Sequence, residues 1–313
     1  MSKRLRIIFM GTPEFAVPSL RSLVESNSNV VAVITVPDKP SGRGQKNTIS
    51  PVKAYAIEQG IPVLQPEKLK NPEFIEELKS YHADIQVVVA FRMLPEVVWS
   101  MPTYGTFNLH GSLLPQYRGA APINWAVING DTETGVTTFF IEKEIDTGKI
   151  IFQEKEPIHP DDDAGSVYER LMHIGAKLVV KTVEAIEKGE YPQEDQDEPA
   201  VIKSAPKIFR ETCEINWDKT AIEIHNFVRG LSPYPAAWTT LNGLSCKIFK
   251  TSVINDDQSH GEQGQPGDLK SDNKTYLHFR TSDAWISVEV LQLEGKKRME
   301  IGDFLRGTKL LHA

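Results

Sequence analysis

Three stretches of this chain are apolar almost from end to end, and each is only as long as a strand: Leu5 to Met10, Val30 to Val36 and Ile85 to Phe91. A strand with one wet face alternates apolar and polar residues, whereas a strand covered on both faces does not. Between the first two runs, Pro13 suits a helix start, and Phe15, Leu20, Leu23 and Val24 form an apolar stripe at helical spacing. Strand, helix and strand in that order build a parallel βαβ unit with covered faces. The first strand–helix turn carries Gly11 alone, where a dinucleotide fingerprint needs three glycines. Gly11 is therefore read as turn geometry, with a place bordering the substrate as the other reading.

The pattern continues. Ser50-Pro51 opens a helix that runs to Gly60, Pro62 to Gln65 reads as a short strand, and Asn71-Pro72 opens a charged amphipathic helix to about Tyr81. A helix over Ala121 to Asn129 and strands over Gly135 to Ile141 and Lys149 to Gln153 follow. Asp161-Asp162-Asp163 lacks further oxygen ligands at calcium-loop spacing, and is read as the acidic approach to a helix from about Ser166 to Lys188. Tyr191 to Pro206 is polar, acidic and proline-containing, as a linker would be. Beyond a short helix over Thr220 to Gly230 the texture changes to short alternating runs separated by turns, the pattern of a small β-barrel. The expected fold class is α/β, a Rossmann-like mostly parallel sheet in residues 1–189, a linker at 190–206 and a smaller β domain at 207–313.

The net charge of -7 argues against a protein held on nucleic acid by overall positive charge. That charge sits in the first 206 residues, with 21 basic and 28 acidic side chains; residues 207–313 balance 14 against 14. Two cysteines, Cys213 and Cys246, form neither a disulfide framework nor a CxxC pair, which fits a reducing cytoplasm. No apolar run approaches the length of a membrane span, and nothing demands more than a monomer.

Chemistry concentrates in Thr106-Phe107-Asn108-Leu109-His110-Gly111-Ser112-Leu113-Leu114-Pro115-Gln116-Tyr117-Arg118-Gly119-Ala120-Ala121-Pro122-Ile123. It starts as an apolar strand and breaks at Gly111. Side chains two apart share a strand face, so Asn108 and His110 emerge together while Leu109 turns into the core. An amide and an imidazole aimed at one point can polarise a carbonyl and move a proton. Asp146, in the turn Glu144-Ile145-Asp146-Thr147-Gly148, adds a carboxylate to orient the imidazole. Such a centre needs neither a metal nor a covalent nucleophile.

The run Asn-x-His-x-Ser-Leu-Leu-Pro-x-Tyr-Arg-Gly-Ala-Ala-Pro-Ile followed by Asp-Thr-Gly resembles the signature of the folate-dependent formyltransferases, and the similarity extends over nearly the whole chain. The resemblance implies 10-formyltetrahydrofolate as co-substrate, methionyl-initiator tRNA as amine acceptor in translation initiation, and Asn108, His110 and Asp146 as catalytic residues. It implies that Ser112, Leu113, Leu114 and Pro115 line the folate site, with Arg118 and Gly119 structural, and that the C-terminal β domain is OB-like. Pro37 to Ser50, a solvated loop by composition, matches an insertion that reaches tRNA in such enzymes, which assigns Arg43 and Lys46 to tRNA binding. After the Ile85 strand the family's commoner pattern is an aromatic residue followed by glycine; here Arg92 takes the glycine's place. A formyltransferase for another amine, a sugar nucleotide or glycinamide ribonucleotide, would share the Asn, His and Asp, as would a hydrolase of formylfolate. A non-catalytic RNA-binding module would leave that grouping to coincidence.

Overall fold

The computed structural model of the chain describes residues 4–41, 46–197, 200–254 and 264–310, and of residues 39–41, 46 and 47 the backbone alone. It divides into two compact units, one of Met1–Gly119, Thr134–Glu156 and Tyr168–Ser204, the other of Ala120–Glu133, Pro157–Val167 and Ala205–Ala313.

In the first unit the strands are β1 Arg6–Gly11, β2 Asn29–Ile34, β3 Lys39–Ser41, β4 Lys46–Thr48, β5 Val63–Leu64, β6 Ile85–Val89, β7 Thr106–His110, the two-residue β8 Arg118–Gly119, β9 Glu133–Phe140 and β10 Ile150–Pro157. Seven of them form one sheet in the order β10-β9-β7-β6-β1-β2-β5. Pairs β5/β2, β2/β1, β1/β6 and β6/β7 are parallel, and β9 runs antiparallel to β7. The apolar runs read as doubly covered strands are so: Ile7, Ile8, Phe9 and Met10 have no exposed surface, nor do Ala32, Val33 and Ile34. From β1 the chain builds outward to β2 and β5, then returns to β1's other side to lay down β6 and β7. The order in which strands are added therefore reverses between β1 and β6, and ligands of open α/β sheets bind at such a crossing, beyond the carboxyl ends of the strands.

The sequence's punctuation acts locally. Ser50 Oγ accepts the Lys53 N–H at 3.1 Å and Pro51 opens the helix Pro51–Glu58; Asn71 likewise caps Pro72–Ser80. Each cap is worth about 1 kcal/mol. Gly11 meets the rest of the sheet closely: a methyl group there would lie 2.7 Å from Ala16 Cβ and 3.0 Å from the Val89 carbonyl. Gly175, in the helix Ala164–Lys188, plays the same part under β7, where a methyl would stand 2.6 Å from Leu109 Cδ2. Leu109 thus enters the core as alternation requires. The stretch after β2, read as loop, contains a short antiparallel hairpin of β3 and β4. Its base is tied by Asp38, whose carboxylate accepts from Lys53 Nζ at 2.5 Å and Gln65 Nε2 at 2.8 Å. Those bonds hold the Asp38 carboxyl below the usual range.

Beyond β11, Ser204–Ala205, the main sheet of the second unit is antiparallel. Its strands are β12 Ala237–Leu241, β13 Leu244–Ile254, β14 Leu269–Ser271, β15 Leu277–Arg280, β16 Trp285–Leu293 and β17 Met299–Glu300, ordered β12-β13-β16-β15-β14 with β17 on β16. Register shifts around Lys250 mark bulges between β13 and β16, which curl the sheet toward a half-barrel. The helix Ala221–Leu231 opens with a complete capping box of Thr220 and Glu223, and packs Ile224 and Val228 into the core with Ile248, Phe279 and Leu291. The short helix Ile301–Arg306 was not legible in the sequence, its six residues being too few to show a period. Asp162 and Asp163 do stand at a helix start: Asp163 Oδ1 accepts the Ser166 N–H at 2.8 Å and Asp162 Oδ2 that of His159 at 2.7 Å. Both cysteines are free and buried, and burial pushes the Cys246 thiol up to about 12. Among the described residues no helix is long and apolar enough to cross a membrane.

Candidate active site

β7 delivers the site. Its last residue, His110, is 6% exposed, and Asn108 two positions earlier is half-buried. No described residue hydrogen-bonds the Asn108 side chain, so its amide keeps two donors for a ligand. His110 is fixed on three sides. Its Nε2 lies 2.8 Å from the Tyr117 carbonyl, its ring meets Phe139 edge-on at 6.4 Å, and its Nδ1 lies 4.0 Å from Asp146 Oδ2. A carbonyl can only accept, so Nε2 carries a proton and the lone pair of the neutral ring is at Nδ1, facing the carboxylate. The Nδ1–Asp146 distance is beyond a direct hydrogen bond. Asp146 was expected to orient the imidazole; the bond that sets the tautomer comes from Tyr117, a buried residue at φ 62. That position has no sequence signal, because Tyr acts through its backbone.

Asp146 is held from two directions. Its Oδ2 accepts the Gly119 N–H at 2.9 Å, and its carbonyl accepts from Gln196 Nε2 at 2.9 Å. Two residues on, Gly148 is pressed against β9, where a methyl would stand 1.8 Å from the Phe140 carbonyl oxygen. The Asp-Thr-Gly spacing thus puts the carboxylate near His110 and the glycine where only hydrogen fits.

Ser112 to Pro115 follow directly. Ser112 and Leu114 are buried, and Leu113 packs so closely on β9 that a methyl at Gly135 would reach 2.6 Å from Leu113 Cδ2. Thr137 Oγ1 donates to the Ser112 carbonyl at 2.7 Å and accepts the Leu114 N–H at 3.1 Å; Gln153 Nε2 donates to the Leu114 carbonyl at 2.9 Å. This wall is stiff, with its backbone at 112 and 114 already engaged. Arg92 turns to the end of β5, donating Nη1 to the Glu67 carbonyl at 2.9 Å and Nη2 to that of Pro66. Arg43 lies outside the described residues; Lys46 is placed by its backbone in β4.

The second unit has a groove of about 590 Å³ lined by cations and rings, among them Lys207, Arg210, Lys247, Phe209, Tyr234 and Trp238. Tyr234 is 81% exposed.

Two family models match the chain. Residues 3–183 match the formyl transferase model and residues 207–309 the formyl transferase C-terminal domain. A protein of Azobacteroides pseudotrichonymphae named methionyl-tRNA formyltransferase is 53% identical over 317 residues, covering 99% of this chain and 98% of that protein. The chain belongs to the methionyl-tRNA formyltransferase family. Among solved structures, an N-formyltransferase from Helicobacter canadensis in complex with folinic acid and dTDP-3-aminofucose shares the fold at TM-score 0.66 and 23% identity, over 91% of this chain and 98% of that one. HypX from Aquifex aeolicus in complex with tetrahydrofolic acid aligns at TM-score 0.63 and 19% identity, over 98% of this chain, which spans about half of HypX's length.

Proposed function

We propose that this enzyme transfers the formyl group of 10-formyltetrahydrofolate to the α-amino group of methionyl-initiator tRNA in the cytoplasm. The observation that carries the chemistry is the convergence of Asn108, His110 and Asp146, with His110 Nδ1 and Asp146 Oδ2 4.0 Å apart. The amine attacks the formyl carbon, and the carbonyl oxygen becomes an oxyanion. Asn108 donates its free amide hydrogens to that oxygen, a contribution typically worth about 3–4 kcal/mol. The attacking nitrogen gives its proton to His110 Nδ1, where the Asp146 carboxylate stabilises the resulting imidazolium. The bond from carbon to N10 then breaks, N10 takes a proton, and tetrahydrofolate leaves. Ser112, Leu113, Leu114 and Pro115 form one wall of the folate site through apolar surface more than hydrogen bonds, since their backbone groups at 112 and 114 are engaged.

Residues 1–189 carry this chemistry, 190–206 join it to an OB-like domain at 207–313, and RNA contacts are divided between the two. Lys46, in β4, and Arg43, which lies outside the described residues, are assigned to backbone phosphates of the tRNA. The groove of Lys207, Lys247, the exposed Tyr234 and the half-buried Trp238 has the pairing of cations with rings that holds unpaired nucleotides, where each stacked base is worth about 1–3 kcal/mol.

Neutralising Arg43 and Lys46 together, or replacing Tyr234 and Lys247 by alanine, is expected to weaken tRNA binding at least tenfold and flatten its salt dependence. Folate affinity stays unchanged. Filter binding of charged tRNA and a fluorescence titration of the folate check this; equal losses on both ligands would remove these surfaces from RNA recognition.

The acceptor is tested by formyl transfer with three amines in parallel: methionyl-initiator tRNA, an aminosugar nucleotide and glycinamide ribonucleotide. Rapid transfer to the charged tRNA alone is expected. Transfer to one of the small amines instead would sink the acceptor assignment.

A further inference from the structure

The segment read from its composition as linker carries Gln196 to the site. An isolated antiparallel bridge between Glu194 and Ile150, with N···O distances of 2.8 and 3.0 Å, pins this segment to the start of β10. Two residues later the half-buried Gln196 side chain enters the Asp146 turn. Its Nε2 donates to the Asp146 carbonyl at 2.9 Å and to the Gly148 carbonyl at 2.8 Å. Its Oε1 accepts from Arg118 Nε at 3.1 Å and Nη2 at 2.7 Å. Both hydrogens and the oxygen of the amide are thus used, and the partners fix which end is which, because carbonyls only accept and a guanidinium only donates.

These contacts close a ring. The Asp146 carboxylate takes the Gly119 N–H, Gly119 follows Arg118, Arg118 holds Gln196, and Gln196 holds the Asp146 carbonyl. Asp146 sits at φ 56, a left-handed conformation that costs a non-glycine residue about 1–2 kcal/mol and persists only when its surroundings impose it. The two Gln196 bonds bracket that residue, one at its own carbonyl and one two residues on. We infer that Gln196 is a positioning residue: it holds the Asp146 turn so that the carboxylate faces His110 Nδ1, and so makes the 190–206 segment a working part of the catalytic centre.

Neither near-isosteric replacement reproduces this set of bonds. Methionine matches the length of glutamine without hydrogen bonds. Glutamate keeps an acceptor for Arg118 but sets a carboxylate against two carbonyl oxygens.

The inference rests on the reading of Asp146 as catalytic, so its test carries that reading as a separate arm. Steady-state formyl transfer would be measured for Gln196→Met, Gln196→Glu, Asp146→Asn and the double variant Asp146→Asn/Gln196→Met. A displacement of about 1 Å at a catalytic group costs on the order of a hundredfold in rate. Gln196→Met and Gln196→Glu are therefore expected to lose ~10–100-fold in kcat, with KM for both substrates within about threefold of wild type. In the Asp146→Asn background the methionine substitution should cost less than about twofold, since its effect runs through a carboxylate already removed. Full additivity, or unchanged kcat in Gln196→Met, would overturn the positioning role. Wild-type turnover in Asp146→Asn would overturn the catalytic reading beneath it, and the inference with it.

Discussion

Replacing His110 with alanine is expected to lower kcat about a thousandfold, the middle of the range for loss of a general base. The residue is buried between Phe139 and the Tyr117 carbonyl, so its removal also has a structural side. An unpaired carbonyl in that place costs about 1–3 kcal/mol. His110→Gln separates the two effects. Its amide can reach the position of Nε2 and restore the bond to Tyr117, yet it offers no nitrogen that takes a proton at neutral pH. The expected pattern is a lowered melting temperature in His110→Ala, a recovered one in His110→Gln, and equal loss of turnover in both. Turnover that returned with stability would reduce His110 to a packing residue.

Gly148→Ala is the second large effect, and it arises from space alone. The new methyl group would lie 1.8 Å from the Phe140 carbonyl oxygen and 2.9 Å from its carbon. These are backbone atoms of β9, with no flexible side chain to give way, so the turn must lift. The lift moves Asp146 and strips Gln196 of its second carbonyl, and about a hundredfold loss in kcat is expected. Overpacking of this kind also destabilises by about 1–3 kcal/mol. Gly189→Ala is the contrasting case. That residue has φ +71 and nothing within 4 Å, so the substitution carries only backbone strain and leaves turnover unchanged. Comparable turnover in the two variants, measured at a temperature where both are folded, would contradict the close approach at Gly148.

How much of this was legible follows from what each residue contributes. Strands buried on both faces announce themselves, and Ser50 and Asn71 cap where their side chains suggested. Asn108 and His110 could be paired because a strand repeats every two residues. What stayed hidden acts through backbone atoms or from far along the chain. Tyr117 contributes a carbonyl and Gly119 an N–H, neither of which any residue type advertises. Gln196 lies 50 residues from Asp146 in a stretch whose composition says linker, and tertiary contacts such as the bridge at Glu194 bring it there. Arg92 departs from the family's commoner pattern, yet its guanidinium is taken up by the carbonyls of Pro66 and Glu67. The short hairpin of β3 and β4 was masked by two prolines and two glycines, which signal loop whether or not strands pair between them.

The central claim is that the reacting carbonyl sits between Asn108 and His110 at the end of β7. A crystal structure of the enzyme with a stable carbon analogue of 10-formyltetrahydrofolate tests it most directly. The formyl oxygen is expected within hydrogen-bonding distance of the Asn108 amide, with the open face of the formyl carbon toward His110 Nδ1 and Asp146. A formyl group bound with its oxygen away from Asn108, or in a pocket that His110 does not border, would contradict it.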